Sequence, residues 1–195
     1  MGSPIHSTKA ATARDRILLT AHDLFYRDGV RATGVDKIIA EAGVAKLTFY
    51  RHFASKERLI CAFLEYRHER WMAWLVDALA RHGSTPGGGF SPLVGAMREW
   101  FEDPLFRGCA FINAVAELGG VIPEVVLISN RHKRAMLVVI TELVPPQPAR
   151  DATASAASLA LDGAIVRAQM EGGTAAVQAL SVLLGVLQRQ GYENA

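Results

Sequence analysis

Gly43-Val44-Ala45-Lys46-Leu47-Thr48-Phe49-Tyr50-Arg51-His52-Phe53-Ala54-Ser55-Lys56-Glu57-Arg58-Leu59 is the stretch that decides the fold of this chain. Phe49 and Phe53 stand one helical turn apart and share a face, whereas Leu47, Thr48 and Arg51 point away and Lys46, Tyr50 and His52 flank them. Gly43 breaks whatever precedes the stretch, and Ser55 is a good cap for a helix that follows. Upstream, Ile17, Leu18, Ala21, Leu24 and Phe25 recur at helical spacing until Asp28-Gly29 stops them. Thr33-Gly34-Val35-Asp36 has capping-box spacing, and Val35, Ile38, Ile39 and Ala42 form one face of a short second helix. Three short helices in under about 60 residues, with a glycine turn between the last two, predict a helix-turn-helix.

In such a motif the second helix of the pair lies in the DNA major groove and the first crosses behind it. The outward residues of the quoted stretch are cations, hydroxyls and one apolar tip, which suit phosphates, base edges and a thymine methyl respectively. The same spacing also describes an ordinary solvated helix face, and periodicity alone does not separate the two. Lys56 falls in the first turn of the next helix, where free amides already attract an anion, and Thr33 is expected to touch a phosphate at the start of the second helix.

Downstream of Ser55 the period continues through Leu59, Ile60, Phe63, Leu64, Trp71, Trp74, Leu75 and Leu79, giving a helix long enough to link two domains. The glycine-rich run 83–89 reads as a loop, and Ser91-Pro92 opens the next helix as a cap followed by Pro. Further helices are predicted over 92–102, 108–118, 123–144, 151–171 and 174–190. Val125–Ile128 and Leu137–Ile140 favour strand locally, but each lies in a segment long enough to be a helix. The fold class is therefore all-α, with a mobile arm over residues 1–13, a DNA-binding domain over 14–56 and a larger helical domain over 57–195.

Composition fits this. The chain has 195 residues, half of them hydrophobic and 21% charged, which excludes a disordered or collagen-like protein. Residues 1–70 carry twelve Lys and Arg against eight Asp and Glu, net +4, whereas the remainder is net −2, so a polyanion partner is expected at the amino-terminal end. Two cysteines, Cys61 and Cys109, make no disulfide framework, no secretion leader opens the chain and no apolar run is long enough to span a membrane. A cytoplasmic protein is expected, with no metal and no cofactor, because the six histidines have no partners at ligand spacing. Gly-x-Ser-x-Gly, Gly-Lys-Ser/Thr and His-Glu-x-x-His are all absent, which argues against an enzyme.

The quoted stretch, extended to residues 14–64, closely resembles the helix-turn-helix signature of the TetR (tetracycline-repressor-like) transcriptional regulators. Gly34 stands where that family commonly has Thr or Ser, and Leu47 replaces a frequent Gly. The resemblance implies that Lys46, Leu47, Thr48 and Arg51 approach base edges while Tyr50, His52 and Lys56 hold phosphates. It further implies a ligand cavity among the fourth to seventh helices and a homodimer made by the last two. Arg107-Gly108-Cys109-Ala110-Phe111-Ile112-Asn113-Ala114-Val115-Ala116-Glu117 and Leu161-Asp162-Gly163-Ala164 resemble stretches of one TetR subgroup.

For the cavity, Trp71, Trp74, Trp100, Phe101, Phe106, Cys109 and Phe111 are the expected apolar lining, and Asn113, Glu117 and His132 the polar anchors. The shortage of cations there points to an apolar or aromatic effector. For the dimer, the expected face comprises Leu159, Gly163, Ile165, Val166, Val177, Leu180, Leu184 and Leu187. The expected function is a repressor released from a palindromic double-stranded operator by that effector. Two alternatives are a helical dimerisation module and a regulator without an effector.

Overall fold

A computed structural model describes residues 12–193, and among them it contains nine helices and no strand. In order these are α1 (Ala13–Asp28), α2 (Val35–Ala42), α3 (Lys46–His52), α4 (Lys56–Arg81), α5 (Ser91–Phe101), α6 (Ala110–Leu118), α7 (Pro123–Leu143), α8 (Arg150–Glu171) and α9 (Gly173–Glu193). Both β-favouring runs lie inside α7, where length prevails over local propensity. Most of the expected mobile arm, residues 1–11, lies outside the described residues. Its end does not belong to an arm: Thr12 caps α1 through a reciprocal capping box with Asp15, and Ala13 opens the helix.

The chain divides into two compact units. The first takes the residues up to His68 together with Ala110–Ser129, so it holds α1–α3, the first half of α4, α6 and the start of α7. Its core contains Ile17, Leu24 and Phe25 of α1, Ile38 of α2, Phe49 of α3, and Leu59 and Phe63 of α4, all buried. The rings of Phe25 and Phe63 meet edge to face at 5.4 Å. Arg16 of α1 donates from Nε to the carbonyl of Ala42, so a cation closes the carbonyl end of α2.

Thr33 departs from both of its expected roles. It is fully buried, and its hydroxyl donates to the carbonyl of Gly29 at 2.8 Å instead of accepting an amide at the start of α2, whose cap is Gly34 with no side-chain bond. A side chain shut inside the α1–α2 turn cannot touch a phosphate, so Thr33 is a brace of that turn and not a DNA contact.

The second unit takes Glu69–Cys109 and the chain from Asn130 onward. Its centre is the pair α8 and α9, packed through Ala154, Ala157, Leu161, Ala164 and Ile165 on one side and Ala176, Val177, Leu180 and Leu184 on the other. Small residues let the two backbones approach. The loop 83–89 is tied down by its own amides, because Gly87 and Gly89 donate to the carbonyls of Glu142 and Leu143 at 2.8 and 2.9 Å. These are the orphan carbonyls at the end of α7, satisfied here by a loop.

This packing corrects the expected dimer face. Ile165, Val177, Leu180 and Leu184 are buried within the single chain and are unavailable to a partner. Leu159, Gly163 and Val166 are exposed, Leu187 is half-buried, and the outward apolar face continues through Met170, Val182, Leu183 and Val186. Sequence cannot choose between them because α8 is apolar on both sides. Replacing Thr33 by Val should cost about 1 kcal/mol in urea unfolding, from one lost hydrogen bond inside the α1–α2 turn.

Candidate nucleic-acid interface

The turn between α2 and α3 is a Schellman-type stop: Gly43 adopts a left-handed φ of 61°, its amide donates to Ile39 and Ala40, and Val44 donates to Ile39. Such a turn needs a residue without a Cβ penalty, which is why glycine stands between two helices this short. After it, α3 has seven residues and one buried side chain, Phe49, with Phe53 buried at its end. Those two rings, 6.3 Å apart, fix the rotation of α3 about its axis.

With Phe49 inward, the rest of α3 faces solvent. Leu47 is 81% exposed, a position that gains nothing by burial in the single chain. Lys46, Arg51 and His52 are exposed, Thr48 is half-buried, and the Tyr50 ring stands edge-on to Phe49 at 5.2 Å with its outer part exposed. Lys46 is held by a carboxylate of its own domain, with Nζ 3.3 Å from Asp36 Oδ1. Both groups are well exposed, so the pair is weak and can be exchanged for another anion.

Lys56 is half-buried in the first turn of α4, behind Ser55, whose hydroxyl accepts the Arg58 amide at 3.3 Å. Burial lowers the pKa of its ammonium from the ordinary lysine value, with the charges of Glu57 and Glu117 opposing the shift. A partly desolvated cation beside free helix amides is suited to a phosphate. One cation of this face has no signature in the sequence: the Arg14 guanidinium lies over the Phe53 ring, 5.3 Å from its centroid, and so stands at the carboxyl end of α3. Nothing local signals this, since the two residues meet only through the packing of α1 on α3.

Of the residues expected to line an effector cavity, the structure brings Trp71, Trp74, Trp100, Phe101, Phe106 and His132 into one aromatic cluster of the second unit. Neighbouring ring centroids there are 5.1 to 6.1 Å apart. Cys109 is buried in the same unit, whereas Phe111, Asn113 and Glu117 belong to the first. Glu117 finds a partner within the first unit: its carboxylate accepts the backbone amide of Arg31 at 2.8 Å. Among the described residues no group of three or more His, Cys, Asp or Glu could hold a metal ion. Nor is any described helix long and apolar enough to cross a membrane.

Residues 17–63 match the family model for bacterial regulatory proteins of the tetR family. A TetR-family transcriptional regulator from Streptomyces coelicolor is 30% identical over 92% of this chain and 95% of its own, with a TM-score of 0.80. An uncharacterized HTH-type transcriptional regulator of Bacillus subtilis, YerO, is 42% identical over 93 residues, 46% of this chain. The HTH-type transcriptional activator FasR of Mycolicibacterium smegmatis is 42% identical over 66 residues, 34% of this chain. The chain spans about a third of the length of these two curated relatives. All three similarities converge on helix-turn-helix regulators of transcription. The chain belongs to the TetR family.

Two or three phosphates neutralised per protomer, by Lys56 and the cations around it, should give a dimer a log–log salt slope of about −4 to −5. Filter binding from low to moderate salt checks this, and a slope near zero would remove DNA as the target. Lys56→Ala should weaken all duplexes alike. Arg51→Ala should also relax base preference by ~1–3 kcal/mol at one position of each half-site.

Proposed function

We propose that this regulator acts as a homodimer whose two α3 helices read a near-palindromic operator, and that it represses transcription until a small effector releases it. The observation that carries the DNA reading is α3 itself: a seven-residue helix anchored by Phe49, with Lys46, Leu47, Thr48 and Arg51 turned outward. A single exposed leucine is ordinary on a solvated face, but among the cations and hydroxyls of α3 it is placed to meet a thymine methyl. Lys46, Leu47, Thr48 and Arg51 then read bases, while Tyr50, His52 and Lys56 hold phosphates.

The dimer reading rests on the outward side of α8 and α9. Leu159, Val166 and Met170 lie along one stripe of α8, at 76%, 39% and 77% exposure, around Gly163, where an added Cβ would meet nothing. Val182, Leu183 and Val186 continue the apolar surface on α9. Exposed apolar side chains grouped on one side of each of two paired helices fit an isologous contact with a second copy.

The effector reading rests on the aromatic cluster. Trp71 is buried and its indole Nε1 has no hydrogen-bond partner, so an acceptor on a ligand would satisfy a donor that otherwise carries a desolvation cost. Three cations of that unit already have partners: Arg81 in Asp77 and Glu99, Lys133 in Asp162, and Arg107 in the carbonyls of its own loop. This supports an apolar or aromatic effector, since an anion buried in the cluster would need a paired cation. It would act by binding more tightly to a conformer whose α3 helices no longer match half-sites about 34–36 Å apart.

The double substitution Leu159→Arg with Val182→Arg should give folded monomers in sedimentation, with operator affinity lost. Leu184→Arg should instead unfold the chain, costing more than about 4 kcal/mol, because it buries a charge inside one protomer. A dimer that survives the double substitution would move the interface elsewhere. In thermal-shift and operator-release screens, uncharged aromatic compounds should raise Tm and free the DNA, with a negative heat-capacity change on binding. Release by phosphorylated metabolites or chelators alone would overturn the effector class. Deleting the gene should raise reporter expression from the operator-bearing promoter, whereas a fall would make the protein an activator.

A further inference from the structure

Glu117 closes the 107–117 stretch that the sequence singles out, and neither DNA reading, dimerisation nor the aromatic cluster uses it. It stands in the last turn of α6, where the negative end of the helix dipole disfavours a carboxylate and where α6 itself supplies no basic side chain. The compensation comes from the turn between α1 and α2. Arg31 donates its backbone amide to Glu117 Oε2 at 2.8 Å, across 86 residues of sequence. Gly29, with a φ of 89°, presents its bare Cα side to the same carboxylate, and a Cβ there would lie 3.5 Å from Oε1. Lys56 feels the charge of Glu117 as well.

The α1–α2 turn is therefore fastened from two sides. From within, the Thr33 hydroxyl holds the carbonyl of Gly29. From without, Glu117 holds the amide of Arg31. The turn sets where α2 begins, and α2 in turn carries α3 through the Gly43 stop. We infer that Glu117 is a positioning residue for DNA recognition: α6 belongs to the DNA-reading unit, and its terminal carboxylate holds the α1–α2 turn so that α2 and α3 keep the orientation that reads sequence. This inference rests on the DNA reading proposed above.

Two full-length variants test it. Glu117→Ala removes the acceptor, and Glu117→Gln removes the same charge but keeps an oxygen that can accept from Arg31. The probes are a duplex selected by the wild-type protein from a random-sequence pool and poly(dI-dC) as non-specific DNA. Glu117→Ala should lower the ratio of selected to non-specific affinity about tenfold, with Glu117→Gln recovering most of it. The bond is at the surface, so Tm should stay close to that of the wild type for both. Amide exchange at Arg31 should accelerate in Glu117→Ala and not in Glu117→Gln.

Unchanged exchange at Arg31 in Glu117→Ala would overturn the latch itself. Faster exchange with an unchanged affinity ratio would overturn its role in positioning. Equal losses in the two variants would make the effect one of charge and also overturn it. If the wild-type protein selects no duplex, the DNA reading fails and the positioning role with it, and the exchange result still reports whether the contact exists.

Discussion

Burial of Phe49 is the interaction on which the rest of this protein depends. A helix of seven residues is far below the length at which helices persist alone in water, so α3 exists because its one inward ring is held in the core that α1 and α2 build around it. That anchoring does two things at once. It stabilises the helix, and because Phe49 and Phe53 fix its rotation, it also decides which side chains a partner meets. Side chains that would read DNA make few contacts of their own within the chain. They are presented by a core they do not belong to.

The division into two units follows the chemistry of the helices more than their order in the chain. Helix α6 belongs to the unit of α1–α3 although it follows α5 in sequence, and its terminal carboxylate accepts the Arg31 amide of the α1–α2 turn. Helix α8 is apolar on two opposite sides, burying alanines, Leu161 and Ile165 inward and exposing Leu159, Val166 and Met170. Protein surfaces retain much apolar area, but a continuous stripe on one helix pair is unusual for a surface with no partner.

Much of the candidate DNA-reading face is legible in the sequence, because the apolar positions of α1–α3 keep a helical period and glycine marks the ends of α1 and α2. Phe49 inward with Leu47, Thr48 and Arg51 outward follows from a 3.6-residue period alone. Thr33 defeats that kind of reading, because capping-box spacing describes what a hydroxyl can do locally, whereas burial between α1 and α2 gives it a nearer acceptor at Gly29. Arg14 is invisible to it, because the stacking on Phe53 joins residues far apart in the chain. Composition points to the aromatic cluster, but it holds no sign that Glu117 belongs to the other unit.

What the sequence by itself determined was the set of helices, the glycine stops between them and the outward face of α3, since each depends on interactions within a few residues of one another. Tertiary structure alone decided which side of α8 and α9 is interior, where Glu117 and Arg14 find their partners, and whether Thr33 caps a helix or braces a turn. Those outcomes turn on which helix packs against which. A helix that is apolar on both sides, or a polar side chain with two possible acceptors, holds no local information about that choice.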